Sequence, residues 1–404
     1  MELRLSRWVK SGYILARGLA SGLSLLFALG YSKVLGVENR SIVTVIFTFS
    51  LICLTVFTSG IGLFLRSRAL DPHEPIAFRS FVIIAIISAL LTASSVFAFV
   101  ILYSHTRGAI PATLIIFSVL YSFFGALDDL SHQSLIAYGK FKVAALLDVS
   151  TVIVQILFFI VVSLLTDISS ASVLFASLIV SYVASVLLSS IALQRLAAPN
   201  REQHFLTTMD LVKKSKAFHL VGISNGLADR VDRLLIGWFM PLNFLGTYSV
   251  GTSLLTYLRF IPDGIGRLIV AKQNLGLSNK LRSKALWNIT MITLTLLLVS
   301  LAVSLSQSLV IVFLGDDWEI SRWIITAFAA QEVLRGLYLF VISRQAASNN
   351  QDFIFKSSLL LIISSVLGGY MGIKLFSGIG VPLGIGLSYG ILIAYSRLSG
   401  VKKN

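Results

Sequence analysis

The chain has one cysteine, Cys53, in 404 residues. A lone thiol excludes a disulfide within the chain and any multi-cysteine metal site. Charge is also scarce. Only 13% of residues are charged while 56% are hydrophobic, against about 25% charged in a soluble domain. That imbalance excludes a water-soluble globular protein, a disordered chain and a coiled coil. Acids are the scarcer sign, 18 against 33 lysines and arginines, for a net charge of +15. Such an excess can signal an anionic partner, or it can mark the cytoplasmic loops of a membrane protein. A nucleic-acid partner is excluded by repeated apolar runs long enough to cross a bilayer. No GxxxxGK[ST] loop and no HExxH are found, so neither an ATP-hydrolysing domain of that type nor that zinc site is built in. No large hydrophilic loop is available for a membrane glycosyltransferase or polymerase. Movement of a substrate, without cofactor or metal, is therefore expected in place of enzymatic chemistry.

What is abundant is spanning sequence. Apolar windows fall at 12–34, 41–65, 78–102, 111–136, 141–165, 171–194, 217–239, 244–268, 285–313, 321–343, 355–376 and 379–396. Each is long enough for a helix crossing about 30 Å of hydrocarbon. The runs are continuous and do not alternate, which excludes a β-barrel. The start, with Arg4, Arg7 and Lys10 before an apolar stretch, reads as a first retained span and not a cleaved signal. The expected fold class is an all-α polytopic membrane protein of about 12 transmembrane helices.

Cations set the orientation. The N-terminus, the even-to-odd connections and the C-terminus carry most of them, including Lys140, Lys142, Lys213, Lys214, Lys216, Lys280, Arg282 and Lys284. The opposite side holds Lys33, Arg40, Arg107, Arg322 and Lys374. The positive-inside rule then places both termini in the cytoplasm.

An internal repeat suggests the layout. Shifting the sequence by 204 residues brings Lys10-Ser11 onto Lys214-Ser215, Ser21-Gly22-Leu23 onto Asn225-Gly226-Leu227, and Gly60-Ile61-Gly62 onto Gly264-Ile265-Gly266. Two six-helix bundles are expected, over 1–195 and 217–404, joined by a cytoplasmic linker at 196–216. Parallel repeats of this kind place substrate near the midplane.

Charged residues inside spans mark the candidate site, because each costs roughly 2.5–3.5 kcal/mol at the bilayer centre. The seventh span carries Asn225, Asp229, Arg230, Asp232 and Arg233, and at helical spacing Asp229 and Arg233 are neighbours. The eighth carries Arg259 and Asp263 around Pro262, and the tenth Gln331, Glu332, Arg335 and Tyr338. The fourth carries Asp128, Asp129, His132 and Gln133, the fifth Asp148 and the first Arg17. One reading is a polar cavity whose arginines bind an anionic head group, since the guanidinium fork suits phosphate. The other is pairs such as Asp229–Arg233 and Glu332–Arg335, which neutralise each other. Acids within spans are at least as numerous as arginines, so a cationic cavity does not follow from counting. His132 and Asp128 share a face at i, i+4 and are a candidate proton relay.

Asp232-Arg233-Leu234-Leu235-Ile236-Gly237, followed by Leu245-Gly246-Thr247-Tyr248-Ser249-Val250, resembles the start of the second half in polysaccharide flippases. In the first half, Val34-Leu35-Gly36 and Gly60-Ile61-Gly62-Leu63-Phe64-Leu65-Arg66 resemble the first two spans of the same family. These are the O-antigen-translocase type of the multidrug/oligosaccharidyl-lipid/polysaccharide exporter superfamily. The chain departs from the family pattern at Glu38-Asn39-Arg40-Ser41-Ile42, where a glycine-containing turn is usual.

The resemblance implies alternating access between the bundles. It also implies export of an undecaprenyl-pyrophosphate-linked oligosaccharide across the bacterial inner membrane for lipopolysaccharide or other polysaccharide synthesis. The expected partners are that lipid-linked sugar, membrane lipid, and the polymerase and glycosyltransferases of the same pathway. On this reading Arg230, Arg233, Arg259 and Arg335 meet the pyrophosphate and Arg17 stands at the cytoplasmic mouth. Asp128, Asp229, Asp232 and Glu332 are the ion-coupling or pairing acids. A cation-coupled small-molecule or drug exporter of the same superfamily is the alternative.

Overall fold

The computed structural model describes residues 2–68, 78–108, 110–138, 140–166, 170–196, 208–257, 308, 310–347 and 351–401. Every long element among them is helical: α1 (Glu2–Arg68), α2 (Phe78–Arg107), α3 (Ala112–Ala137), α4 (Phe141–Leu165), α5 (Ser170–Leu196), α6 (Thr208–Ala228), α7 (Val231–Phe239), α8 (Leu242–Tyr257), α9 (Arg322–Ala347) and α10 (Gln351–Val401). Six stretches are long and apolar enough to cross a membrane: Gly18–Gly62, Arg79–Arg107, Ala112–Ile136, Phe141–Leu165, Ala171–Gln194 and Phe353–Ser396. The first covers most of the expected windows 12–34 and 41–65, and the last contains those at 355–376 and 379–396. Most of the window at 285–313 and the end of that at 244–268 lie outside the described residues.

Both double-length stretches are broken. In α1 the break is Gly36, with φ 72° and ψ 169°, a conformation that a side chain strongly disfavours. Arg40 beyond the kink donates from Nη1 to the Tyr31 hydroxyl, and its guanidinium lies 4.7 Å from the centre of the Tyr31 ring. In a straight helix those residues would be about 13.5 Å apart along the axis. In α10 the break is Phe376–Ser377, and Ser377 has φ 56°. Its two arms touch through glycines. A Cβ on Gly368 would lie 2.6 Å from the Gly384 carbonyl oxygen, and Gly372 meets the Gly380 carbonyl more tightly still. Gly368 and Gly372 sit where backbone faces backbone, as in close-packed membrane helices, whereas Gly369 makes room for the Leu235 side chain.

The chain divides into two compact units: 1–27 with 45–226, and 28–44 with 227–404. In the first, α3 packs on α2 and α5, and α4 packs on α5. The interior is rich in small polar side chains. Ser177, Ser181, Ser185 and Ser189 repeat every fourth residue of α5 and are all buried. Each hydroxyl of Ser177, Ser181 and Ser189 donates to a carbonyl one turn back, so these three hydroxyls are satisfied within their own helix. Large apolar groups point outward instead, among them Leu146, Leu157, Leu164 and Leu165 of α4. Small residues inside and leucines outside suit a lipid surround. In the second unit α9 lies along α10, while α7 contacts α8 and α10.

Candidate functional site

The charged part of the seventh span is not one continuous helix. α6 stops at Ala228, Asp229 and Arg230 form a turn, and α7 restarts at Val231. Arg230 has φ −137° and ψ −6°. Its amide donates to the Leu227 carbonyl at 3.0 Å, and its own carbonyl accepts from Leu234. The continuous helical wheel expected for 217–239 is therefore corrected at this point. A break inside a span leaves backbone donors and acceptors without helical partners, and these are tolerated where protein or a wet cavity satisfies them.

Asp229 at the break is held from another helix. Arg335 of α9 donates through Nε and Nη2 to its two carboxylate oxygens, at 2.5 and 2.9 Å. Glu332, one turn earlier on α9, lies 3.9 Å from Arg335 Nη1. Arg335 is only 6% exposed and Glu332 8%. Two carboxylates thus surround one guanidinium, which neutralises Arg335 inside the unit. The sequence offers Arg233 as the helical neighbour of Asp229; the structure brings Arg335 to it from 106 residues away.

Asp232, in the first turn of α7, is 2% exposed. The Tyr248 hydroxyl of α8 donates to its Oδ2 at 2.8 Å, and a carboxylate there also complements the positive end of the helix. Tyr248 is fixed by edge contact with Phe328 of α9, ring centres 6.3 Å apart. Tyr248 belongs to the stretch that carries the family resemblance, but its bond to Asp232 was not read from the sequence. Arg230 and Arg233 are half-buried at the same break. Arg259, with Pro262 and Asp263, lies outside the described residues, as do the side chains of Arg17 and Asn225.

The first unit holds a separate acidic cluster. Asp129 accepts from the Thr58 hydroxyl at 2.6 Å and from Gln133 Nε2 at 3.3 Å. Asp128 takes a hydrogen bond from Ser185. His132 Nε2 lies 3.6 Å from Asp148 Oδ1, a pairing across helices beside the expected neighbourhood with Asp128. One carboxylate oxygen each of Asp128 and Asp148 is buried without a hydrogen-bond partner. Among the described residues no lysine or arginine pairs with these three acids. Such a cluster can hold protons or a cation. No group of three His, Cys, Asp or Glu side chains with metal-ligand geometry occurs among the described residues.

No family model matches this chain, and no curated protein matches it in sequence. Solved structures do match, over nearly its whole length. An inward-facing multidrug-resistance MATE-family transporter of the MOP superfamily superposes with a TM-score of 0.65 at 13% identity, over 98% of this chain and 94% of its own. The lipid II flippase MurJ, in an inward closed conformation, gives 0.67 at 15% identity, over 97% and 87%. The eukaryotic MATE transporter AtDTX14 gives 0.69 at 15% identity, over 100% and 96%. The chain is a multi-pass membrane protein with the fold of the MOP-superfamily transporters. These structural neighbours are transporters and not enzymes.

Proposed function

We propose that the chain is a flippase that carries a lipid-pyrophosphate-linked oligosaccharide from the cytoplasmic to the outer leaflet by alternating access between two six-helix halves. Both termini are cytoplasmic on this reading, and the membrane is the bacterial inner one. Fold likeness alone does not choose between drug export and lipid flipping, because both occur among the neighbours. The observation that carries the choice is the broken seventh span. Arg230 caps the N-terminus of α7 and Arg233 lies in its first turn. Cations are disfavoured at the positive end of a helix. Two guanidinium groups gathered at the start of a helix together suit a doubly charged phosphate group. Arg335 is neutralised by Asp229 and Glu332, so its part is to brace the break.

Drug export is the second reading, favoured by the acidic cluster of Asp128, Asp129 and Asp148, which suits cations. In the flippase reading the same cluster couples transport to an ion gradient. The deciding experiment reconstitutes the full chain in vesicles loaded with undecaprenyl-pyrophosphate-linked glycan. Lectin access to the glycan should rise with time under an imposed ion gradient. Unchanged access, together with gradient-driven efflux of a cationic dye, would establish the drug exporter instead.

A further inference from the structure

Within the second unit an open cleft of about 630 Å³ is lined by Val37, Glu38, Asn243, Phe244, Thr247 and Asp317. Its volume lies within the roughly 300–1,000 Å³ usual for small-molecule sites. Three connections far apart in sequence build it, and each is anchored. Val37 and Glu38 follow the Gly36 kink. Ser41 Oγ there lies 2.8 Å from the Val37 carbonyl and 2.5 Å from the Leu242 carbonyl. Gly246 of α8 approaches so closely that a Cβ would lie 2.5 Å from the Val37 carbonyl. Phe244 is wedged against Gly378 and stacks on Tyr248 with ring centres 6.3 Å apart. Asp317 sits in the short turn Asp316–Trp318, which Gly315 enters with φ 98° and the buried Trp318 ties down.

The chemistry of the lining is specific. Glu38 and Asp317 offer carboxylate oxygens, which make strong hydrogen bonds with hydroxyl donors. Asn243 both donates and accepts. The Thr247 hydroxyl donates to the Phe244 carbonyl at 3.1 Å, leaving its oxygen free to accept. Phe244 adds an aromatic surface. Among the described residues no lysine or arginine lines the cleft, so phosphate is disfavoured beside its two carboxylates. Two carboxylates disfavour a purely apolar guest. A neutral polyhydroxyl compound fits all of these constraints.

We propose that the cleft is a saccharide subsite, holding the uncharged sugar part of the cargo on the outer face while the phosphate part stays elsewhere. This deepens the flippase reading and rests on it, including its placement of the termini in the cytoplasm.

The test uses the full chain in lipid nanodiscs and saturation-transfer NMR, with lipid-free maltotriose, chitotriose and trigalacturonate as probes. At least one neutral trisaccharide should show transfer. E38Q/D317N should weaken that signal at least tenfold, and F244A should remove it. Trigalacturonate should show none, because its carboxylates face those of the cleft. Glu38 and Asp317 are exposed, so their amide variants keep the fold, and an unchanged elution profile checks this. The proposal is overturned if neither neutral trisaccharide shows transfer, or if the signal survives E38Q/D317N. It is also overturned if trigalacturonate binds best, or if the variants remove binding of tetraphenylphosphonium and not of sugar. The flippase reading fails separately. Vesicles that flip no lipid-linked glycan while trisaccharide still binds would sink that reading and keep the cleft. Flipping without trisaccharide binding would do the reverse.

Discussion

Arg335 grips both carboxylate oxygens of Asp229, across two helices and beside a break in the backbone. The pair fixes the geometry of the turn at Asp229–Arg230, because a bidentate guanidinium fork allows little rotation. Removing one member leaves buried charge uncompensated. R335A should therefore destabilise the protein by about 3–5 kcal/mol. D229A/R335A should recover part of that loss, although Glu332 then lacks its cation. Thermal unfolding of the detergent-purified single and double variants measures both effects. A double variant worse than the sum of its singles would show that the pair is not the source of the cost.

R230A and R233A are expected to act differently. Both side chains are half-buried beside the break, and on the flippase reading they meet phosphate. Each Ala variant should abolish surface polysaccharide in a complemented deletion strain while protein level is kept. R230K and R233K should restore it only partly, since lysine lacks the planar fork. Normal polysaccharide in both Ala variants would remove the head-group role.

The glycine contacts of α10 predict a contrast. Gly372 and Gly380 face each other's backbone, whereas nothing lies within 4 Å of a Cβ on Gly390. G372A should cost about 1–3 kcal/mol through overpacking. G390A should be neutral or slightly stabilising, because alanine favours helix by up to about 1 kcal/mol. The same melting assay separates them.

Gly36 combines φ 72° with ψ 169°, a region a Cβ tolerates poorly. G36A should cost on the order of 1–3 kcal/mol although no neighbour obstructs the added methyl. The loss should therefore persist in G36S and in G36N alike, because at ψ 169° the backbone lies outside the left-handed helical region that asparagine tolerates. Equal melting temperatures for wild type and G36A would show that the kink is not strained.

The spanning helices were legible because lipid demands long apolar runs. The two hairpins were legible as paired windows, with Gly36 and the stretch between Phe376 and Gly378 at the junctions. The break at Asp229–Arg230 was not legible, since nothing local there forbids helix and no proline or glycine occupies those two positions. The bond between Asp229 and Arg335 was hidden for a different reason: contacts between distant helices leave no periodic trace in one sequence. The serine row of α5 has helical spacing that could have been noticed. It was masked by the surrounding leucines and valines, which dominate any hydropathy window.

Residues 28–44 belong to the second unit although they precede most of the first. Ser41 and Thr44 reach Leu242 and Ser249 by hydrogen bonds spanning 201 and 205 positions. On the ribosome this stretch is made early, and its counterpart emerges some two hundred codons later. The later half, expressed by itself from residue 227, would lack a wall that only the N-terminal fragment supplies. Two polypeptides cut at Gly226 should accordingly assemble when co-expressed and be degraded when made apart.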